Sequence, residues 1–566
     1  MLFLLLACPS PTDTRPVSVI DTDDTGPGSE ADEHCGTIES DTTWYATRAH
    51  VVSCDVVVAR GTLTIEGGAE VSFDEGTSLS VGTEGYAAGL VIDGEEGGVV
   101  LQGTSDTGWD GIVVGELADG VAFRGAVLRG AASGVTVNGV EVEVRGLALD
   151  GAADVGLSLL DGARLAEEAE GLAITNAGGY PVVVDVSAVA TLPALGSSYS
   201  ENGSPMVLVE GDEIDASATW EDLGVPYAIT DTVDVGGVAG EPAVLTVTEG
   251  AEILFDQGTT LRFSRTGSAS QLVVEGTGDN PVRMAGLGAD VAGYWAGIAI
   301  GTGASAASVS WLEISGAGES GGAALSLDDT DLWADHLSIT GSEGDGLLME
   351  GTAAFAPGST DLAVSGCDVP LRLPGAAVST LPLPGLSLAG NTRDAIAVDG
   401  SGKLTESATW ASVGLPYWVI DNIELNGDAE HVAVLSIAAG ATLLFDTGAG
   451  IFVGKDGAAG LVVDGTADAP VTMLPWSAYV AGAWAGIGVY GLADAASVRL
   501  SHVDVGYAGG AALRGAVHVD DSSLALDNVY LHDSLEYGLY LTGTATADTS
   551  TVTYANNTLG DCSGCE

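Results

Sequence analysis

Short runs of this chain alternate apolar and polar residues. Gly61-Thr62-Leu63-Thr64-Ile65-Glu66 is one, and Leu524-Ala525-Leu526-Asp527-Asn528-Val529-Tyr530-Leu531 is another. A period of two predicts strands that turn one face inward. The runs are rich in Val, Ile and Leu and are separated by Gly, Asp, Ser and Thr. No stretch keeps a period of 3.6 over three turns. The best helical candidate is brief, Gly162 to Gly171 with Glu167, Glu168 and Glu170. The 83 glycines fit a chain that turns constantly, because Gly takes positive φ at no steric cost.

The strand pattern repeats at a larger scale. Trp109-Asp110-Gly111-Ile112 returns as Trp295-Ala296-Gly297-Ile298 and as Trp484-Ala485-Gly486-Ile487, at intervals of 186 and 189 residues. Upstream, Gly68-Ala69-Glu70-Val71-Ser72-Phe73-Asp74 returns from Gly250 to Asp256 and from Gly440 to Asp446. Between the two lies a third phrase, Leu272-Val273-Val274-Glu275-Gly276-Thr277 in the second copy. A fourth phrase, Ser217-Ala218-Thr219-Trp220 to Tyr227, returns from Ser407 to Tyr417, and Thr43-Trp44-Tyr45 is what the first copy keeps of it. Four phrases in one order predict a stack of like units. The expected division is a leader at 1–8, a disordered acidic tether at 9–34, and modules at 35–214, 215–404 and 405–566, the third shorter than the others.

Sandwich or propeller strands would be joined by hairpin signals such as Asn-Gly. Here the runs mostly end in corners of one or two residues, which predicts an all-β parallel solenoid. The series Gly-Ala-x-φ-x-Phe-Asp-x-Gly, Leu-x-Val-x-Gly-Thr, Pro-Val, Trp-x-Gly-Ile resembles the right-handed parallel β-helix repeat proteins of bacterial surfaces, whose fold is pectin-lyase-like. The resemblance covers roughly residues 40 to 560. It implies a right-handed parallel β-helix with coils of about twenty-odd residues, about eight to a full module. At about 4.8 Å per coil the rod would be on the order of 100 Å long. It does not imply one activity, because this fold hosts lyases, hydrolases, adhesins and stalks.

Charge narrows the partners. The chain carries 79 acidic and 16 basic residues, a net charge of −63, and its lysines are Lys403 and Lys455. Phosphate neutralisation needs basic patches, so a nucleic-acid partner is excluded. An anionic polysaccharide is disfavoured for the same reason. Solubility of a Gly-rich rod accounts for the charge, with loosely held divalent cations as a further expectation.

The first eight residues are apolar and end in Leu5-Leu6-Ala7-Cys8, which looks like a bacterial lipobox with Cys8 as the lipid-bearing residue. The departure is that no basic residue precedes the apolar run. Residues 9–34 are rich in Pro, Thr, Asp and Gly and read as a flexible tether. The expected location is the bacterial cell envelope, at the outer membrane or extracellular surface, held by the lipid on Cys8. No run of eighteen apolar residues occurs to span a membrane.

In an exported protein Cys35 and Cys54 could close a loop at the start of the rod, and Cys562 and Cys565 could form a terminal disulfide. A metal or redox role for Cys562-Ser563-Gly564-Cys565 lacks a second ligand pair. Cys367 reads as a buried small hydrophobe. Asp328-Asp329-Thr330-Asp331 and Asp520-Asp521 are the carboxylate clusters a hydrolase of this fold would need. They occupy equivalent places in modules two and three, which predicts a shared turn role. His502, His518 and His532, with Asp504, Asp520 and Asp533 nearby, are candidate metal ligands on successive coils, but module two has Ser326 and Thr340 for the last two. Asp21 to Gly26 lacks the later ligands of a calcium loop. Tyr417, Trp418, Tyr530, Tyr537 and Tyr540 could form a sugar-stacking face. The arginines do not cluster with acidic runs as a lyase base would. No phosphate-binding loop, dinucleotide fingerprint or Ser-His-Asp context is present.

Two readings remain. The first is a non-catalytic, lipid-anchored surface rod, structural or adhesin-like, without cofactor, catalytic or metal-binding residues. The second is a carbohydrate-active β-helix that binds or degrades a glycan. The nearly constant module spacing leaves little room for the private loops of a catalytic cleft, which favours the first.

Overall fold

The computed structural model describes residues 31–105, 108–237, 241–264, 269–289, 291–400, 402–428, 430–510 and 513–565. Cys8 and the expected tether as far as residue 30 lie outside the described residues. The first strand, Asp32–Ile38, begins within the segment expected to be tether. It alternates half-buried and exposed positions and is tied to the strand Ala49–Val58 by the Cys35–Cys54 disulfide.

The described chain is 51% strand and 2% helix, an all-β parallel β-helix. It divides into two compact units. One runs to Val182 and includes Leu195–Ser204; the other comprises Val183–Ala194 and the chain from Pro205. Modules two and three are thus essentially the second unit.

Within each unit one coil lays strands on three faces and the next coil pairs with all three in parallel. In the first unit Gly61–Glu66, Glu70–Phe73 and Ser78–Val81 pair with Ala88–Asp93, Val99–Gly103 and Gly111–Val114. In module two Ala243–Thr248, Glu252–Phe255 and Thr260–Phe263 pair with Ser270–Glu275, Val282–Gly286 and Gly297–Ile300. Module three repeats this from Ala433–Ala438 to Gly486–Val489. Inward positions form apolar ladders such as Ile253, Met284 and Ile314, all essentially without solvent exposure. Each such side chain contributes about 1.5–3 kcal/mol by leaving water. The segment Gly162–Gly171, the helical candidate, is instead turns around the short strand Arg164–Leu165, which pairs with Glu141 and Val142, and a bridge at Glu170. Glu168 ion-pairs with Arg145, and Gly171 sits at φ 65° as a corner.

The repeated aromatic phrases lie inside the coils. Trp109, Trp295 and Trp484 are fully buried. Each stacks on the Phe of the preceding phrase: Phe73 at 4.0 Å, Phe255 at 4.2 Å and Phe445 at 4.0 Å. Each indole Nε1 donates to a backbone carbonyl of the next coil, Arg129, Ser315 or Gly506. Trp220 packs on Tyr227 and Trp410 on Tyr417, both pairs tilted, whereas Trp44 stacks on His34 and His50. The coil that carries each Trp-x-Gly-Ile phrase makes a surface loop first. Coil length therefore varies, from 18 residues between Asp32 and its partner His50 to 37 between Leu261 and Ile298. The coils are longer than the expected twenty-odd residues wherever this loop intervenes.

Corners use left-handed backbone. One column of corners is equivalent in all modules, because each corner N–H donates to the carbonyl just before the next corner. It holds Gly130, Gly151 and Asn176 (φ 57°) in module one and Gly316, Gly341 and Gly366 in module two. In module three the same column holds Tyr507 at φ 61°, Asp533 at φ 51° and Asn556 at φ 52°.

Candidate functional site

The sequence candidates separate into structural parts and one surface. Asp329 (φ 51°) and Asp521 (φ 50°) are corner residues. Asp329 Oδ1 accepts from the N–H and hydroxyl of Thr352 on the next coil, and Asp521 Oδ1 accepts from the same groups of Thr544. The two clusters hold equivalent turns in two modules. The arginines are staples between coils. Arg124 holds Glu143, Arg262 holds Asp234, Arg372 holds Asp345, Arg393 holds Asp368 and Arg499 holds Asp464. The Arg124 guanidinium also keeps the Glu143 carboxyl below its ordinary range.

The structure does not bring His502, His518 and His532 together. His502 is a left-handed corner whose Nδ1 faces the Ser501 hydroxyl. His518 lies between Tyr490 and Tyr540 on a different face, and burial lowers its pKa. The aromatic set divides too. Tyr417 points into the core, with its hydroxyl on the Ala411 carbonyl. Trp418 points outward and is covered by Trp476 at 4.8 Å and by the Arg393 guanidinium. Tyr537 and Tyr540 pack together beside Arg514. Cys562 and Cys565 are disulfide-bonded, and Cys367 is free and buried, its thiol pKa pushed up by burial.

His532 remains, on the outer face of module three. Its Nδ1 lies 2.7 Å from Asp533 Oδ2 and its Nε2 lies 3.0 Å from Asp504 Oδ1. An ionised carboxylate only accepts, so both nitrogens are satisfied when the ring carries two protons. The side chain is 12% exposed. Gly506 makes this possible, because a Cβ there would stand 2.4 Å from His532 Cε1. Tyr530 stacks on the imidazole at 4.6 Å, and Tyr507 meets it edge-on at 5.4 Å. Tyr479 meets Tyr507 at 5.4 Å and 88°. Tyr479 belongs to the loop that Trp484 anchors, and that loop is joined to the next coil by Ala483 N–H on the Tyr507 carbonyl.

Register gives the module-two counterparts. Glu313, Ser338, Thr340, Gly316 and Gly341 stand where module three has Asp504, Tyr530, His532, Tyr507 and Asp533. The aromatic surface is private to module three. Sequence pattern does not single out Tyr507 or Tyr479; comparing the modules corner by corner is the signal that finds Tyr507.

A second cluster occurs in module two. His336 (φ 58°) stacks on Trp311 (φ 49°) at 3.7 Å, its Nδ1 lies 2.9 Å from Asp335 Oδ1, and its Nε2 is 3.9 Å from Asp361 Oδ2. These three groups are the one set among the described residues spaced to share a cation. In the first unit, a surface groove of about 660 Å³ is lined by Arg124, Arg145, Glu141, Glu143 and Glu168, which pair with one another or with Arg164. Comparison with protein-family models finds no match, and comparison with curated proteins finds none.

Proposed function

We propose that the chain is a non-catalytic, lipid-anchored scaffold of the bacterial cell envelope, adhesin-like, that engages a partner through the outer face of module three. The observation that carries this reading is Tyr507, which stands at a corner that is glycine in modules one and two. A bulky residue at positive φ costs about 1–3 kcal/mol and persists where something else requires it. Here it gathers tyrosines around a His532 clamped by two carboxylates.

The carbohydrate-active reading draws support from the same tyrosines. Catalysis by this site is disfavoured by its chemistry. Asp504 and Asp533 both hold one imidazole, whereas glycoside hydrolysis divides acid and nucleophile between two separately placed carboxyls. A lyase base is disfavoured because the named arginines are committed to ion pairs.

Glycan and protein arrays, with a polysaccharide-degradation screen of the full chain, test the proposal. Binding without turnover is expected. Turnover abolished by Asp504→Asn or Asp520→Asn would overturn it. Mass spectrometry of the native protein should find lipid on Cys8, and an unmodified Cys8 would remove the anchor.

A further inference from the structure

We infer that the outer face of module three docks a cationic polypeptide segment. This rests on the reading of the chain as an interaction protein and names the chemistry of its partner.

The face offers apolar contact. Tyr479, Val480, Tyr530 and Leu535 are 57%, 59%, 39% and 46% exposed. They are contiguous through Tyr507: Tyr479 packs against its ring, and Leu535 N–H donates to the neighbouring Ala508 carbonyl at 2.9 Å. Leu535 also lies against Gly482, where a Cβ would meet its Cδ2 at 2.9 Å. Such a cluster marks an interaction site more often than a scatter of single residues does.

Its polar groups choose the partner's charge. Asp504 and Asp533 flank one imidazole, so even a doubly protonated His532 leaves the group with one negative charge in excess. The arginines of module three, Arg499 and Arg514, are already held by Asp464 and Glu536. The tyrosine faces carry the negative end of the ring quadrupole, which attracts ammonium and guanidinium groups. The long stems of Lys and Arg can cover Val480 and Leu535 while their heads reach the carboxylates. The net charge of −63 repels a second copy of this chain and any polyanion.

The corners indicate that the face is kept for contact. Gly316 shows that this corner needs no side chain for folding, yet module three keeps Tyr507 there in left-handed backbone.

The test is a titration of the full chain at about 0.15 M salt, where long-range attraction is largely screened. The probes are an acetylated peptide alternating Lys and Leu, the same peptide with Glu for Lys, and a neutral chito-oligosaccharide. The Lys-Leu peptide should bind, and the Glu peptide should not. Tyr507→Gly and Asp533→Gly should each weaken binding at least tenfold without lowering the melting temperature, and Tyr530→Ser, at an exposed strand position, should do the same. Equal affinity in all variants would mean bulk charge alone and would overturn the inference. So would a marked fall in melting temperature for Tyr507→Gly, which would make the corner structural. Saccharide binding lost in the same variants would overturn the cationic partner but leave the interaction reading standing. Failure of every probe, with nothing bound on the arrays, would remove both.

Discussion

At Gly297 there is no room for a side chain. Its φ is 111°, and a Cβ would stand 2.5 Å from the Ala323 carbonyl oxygen; Gly111 and Gly486 are in the same position. Gly297→Ala should therefore lower stability by about 2 kcal/mol or more, read from the urea midpoint. The Trp-x-Gly-Ile pattern is legible in sequence as a register mark. In the structure its indole stacks on Phe, its glycine sits at the close approach, and its isoleucine turns inward. Tyr507 was not legible in the same way, because a residue's identity does not reveal its φ.

His34 is the residue whose titration matters for the fold. Its Nε2 is 2.9 Å from His50 Nδ1, and His50 Nε2 is 3.0 Å from the Tyr45 carbonyl. His50 Nε2 donates to the carbonyl, and with both rings neutral His34 Nε2 donates to His50 Nδ1. Burial, then the neighbouring His50, lowers the His34 pKa from 6.5 to about 4 against the pull of Asp32. Above pH 6.5 the contribution is fully present. As pH falls from 6.5 towards 4 the unfolded chain takes a proton that the folded chain refuses, and stability is lost. After allowance for solvent screening the loss is on the order of 2 kcal/mol. Hydrogen exchange of residues 31–58 should accelerate across that range, and His34→Phe should flatten the dependence.

At the scale of the element, coils are fastened to one another by side chains that run between them. Asn391 is the clearest. Its Oδ1 accepts from Cys367 N–H, and its Nδ2 donates to the Val364 and Leu388 carbonyls. Asn202 makes all three corresponding bonds in its own coil, and Asn557 accepts from Ser534 N–H and donates to the Leu531 carbonyl. Asn391→Ala leaves buried backbone groups unpaired and should cost about 2–3 kcal/mol in a chemical unfolding experiment. The strands themselves were legible from their period of two, since inward positions must be apolar. The coil lengths were not, because the loops ahead of Trp295 and Trp484 add residues without adding a strand. Nor was the course of Gly162–Gly171, where Arg164 and Leu165 pair with Glu141 and Val142 and backbone N–H groups go to the neighbouring coil instead of a helix. Asn391 carried no signal either, for one polar residue at a corner looks like any other in sequence.

At the scale of the whole molecule, charge and repetition dominate. A net charge of −63 on 566 residues stores self-repulsion that salt relieves. The melting temperature should therefore rise as salt increases from about 0.02 M to about 0.5 M, two conditions in which the screening length shrinks several-fold. A flat or falling curve would show that ion pairs such as Arg372–Asp345 outweigh the repulsion. Repetition supplies an internal control for function: what the modules share builds the solenoid, and what module three alone carries is free to bind. The most direct measurement is to give module three the residues of module two at its outer face, by Asp504→Glu, Tyr507→Gly, Tyr530→Ser, His532→Thr and Asp533→Gly, and to compare ligand binding and melting temperature with the native chain. The predicted result is loss of binding with the melting temperature preserved. Retained binding, or a chain that no longer folds, would contradict the assignment of that face to function.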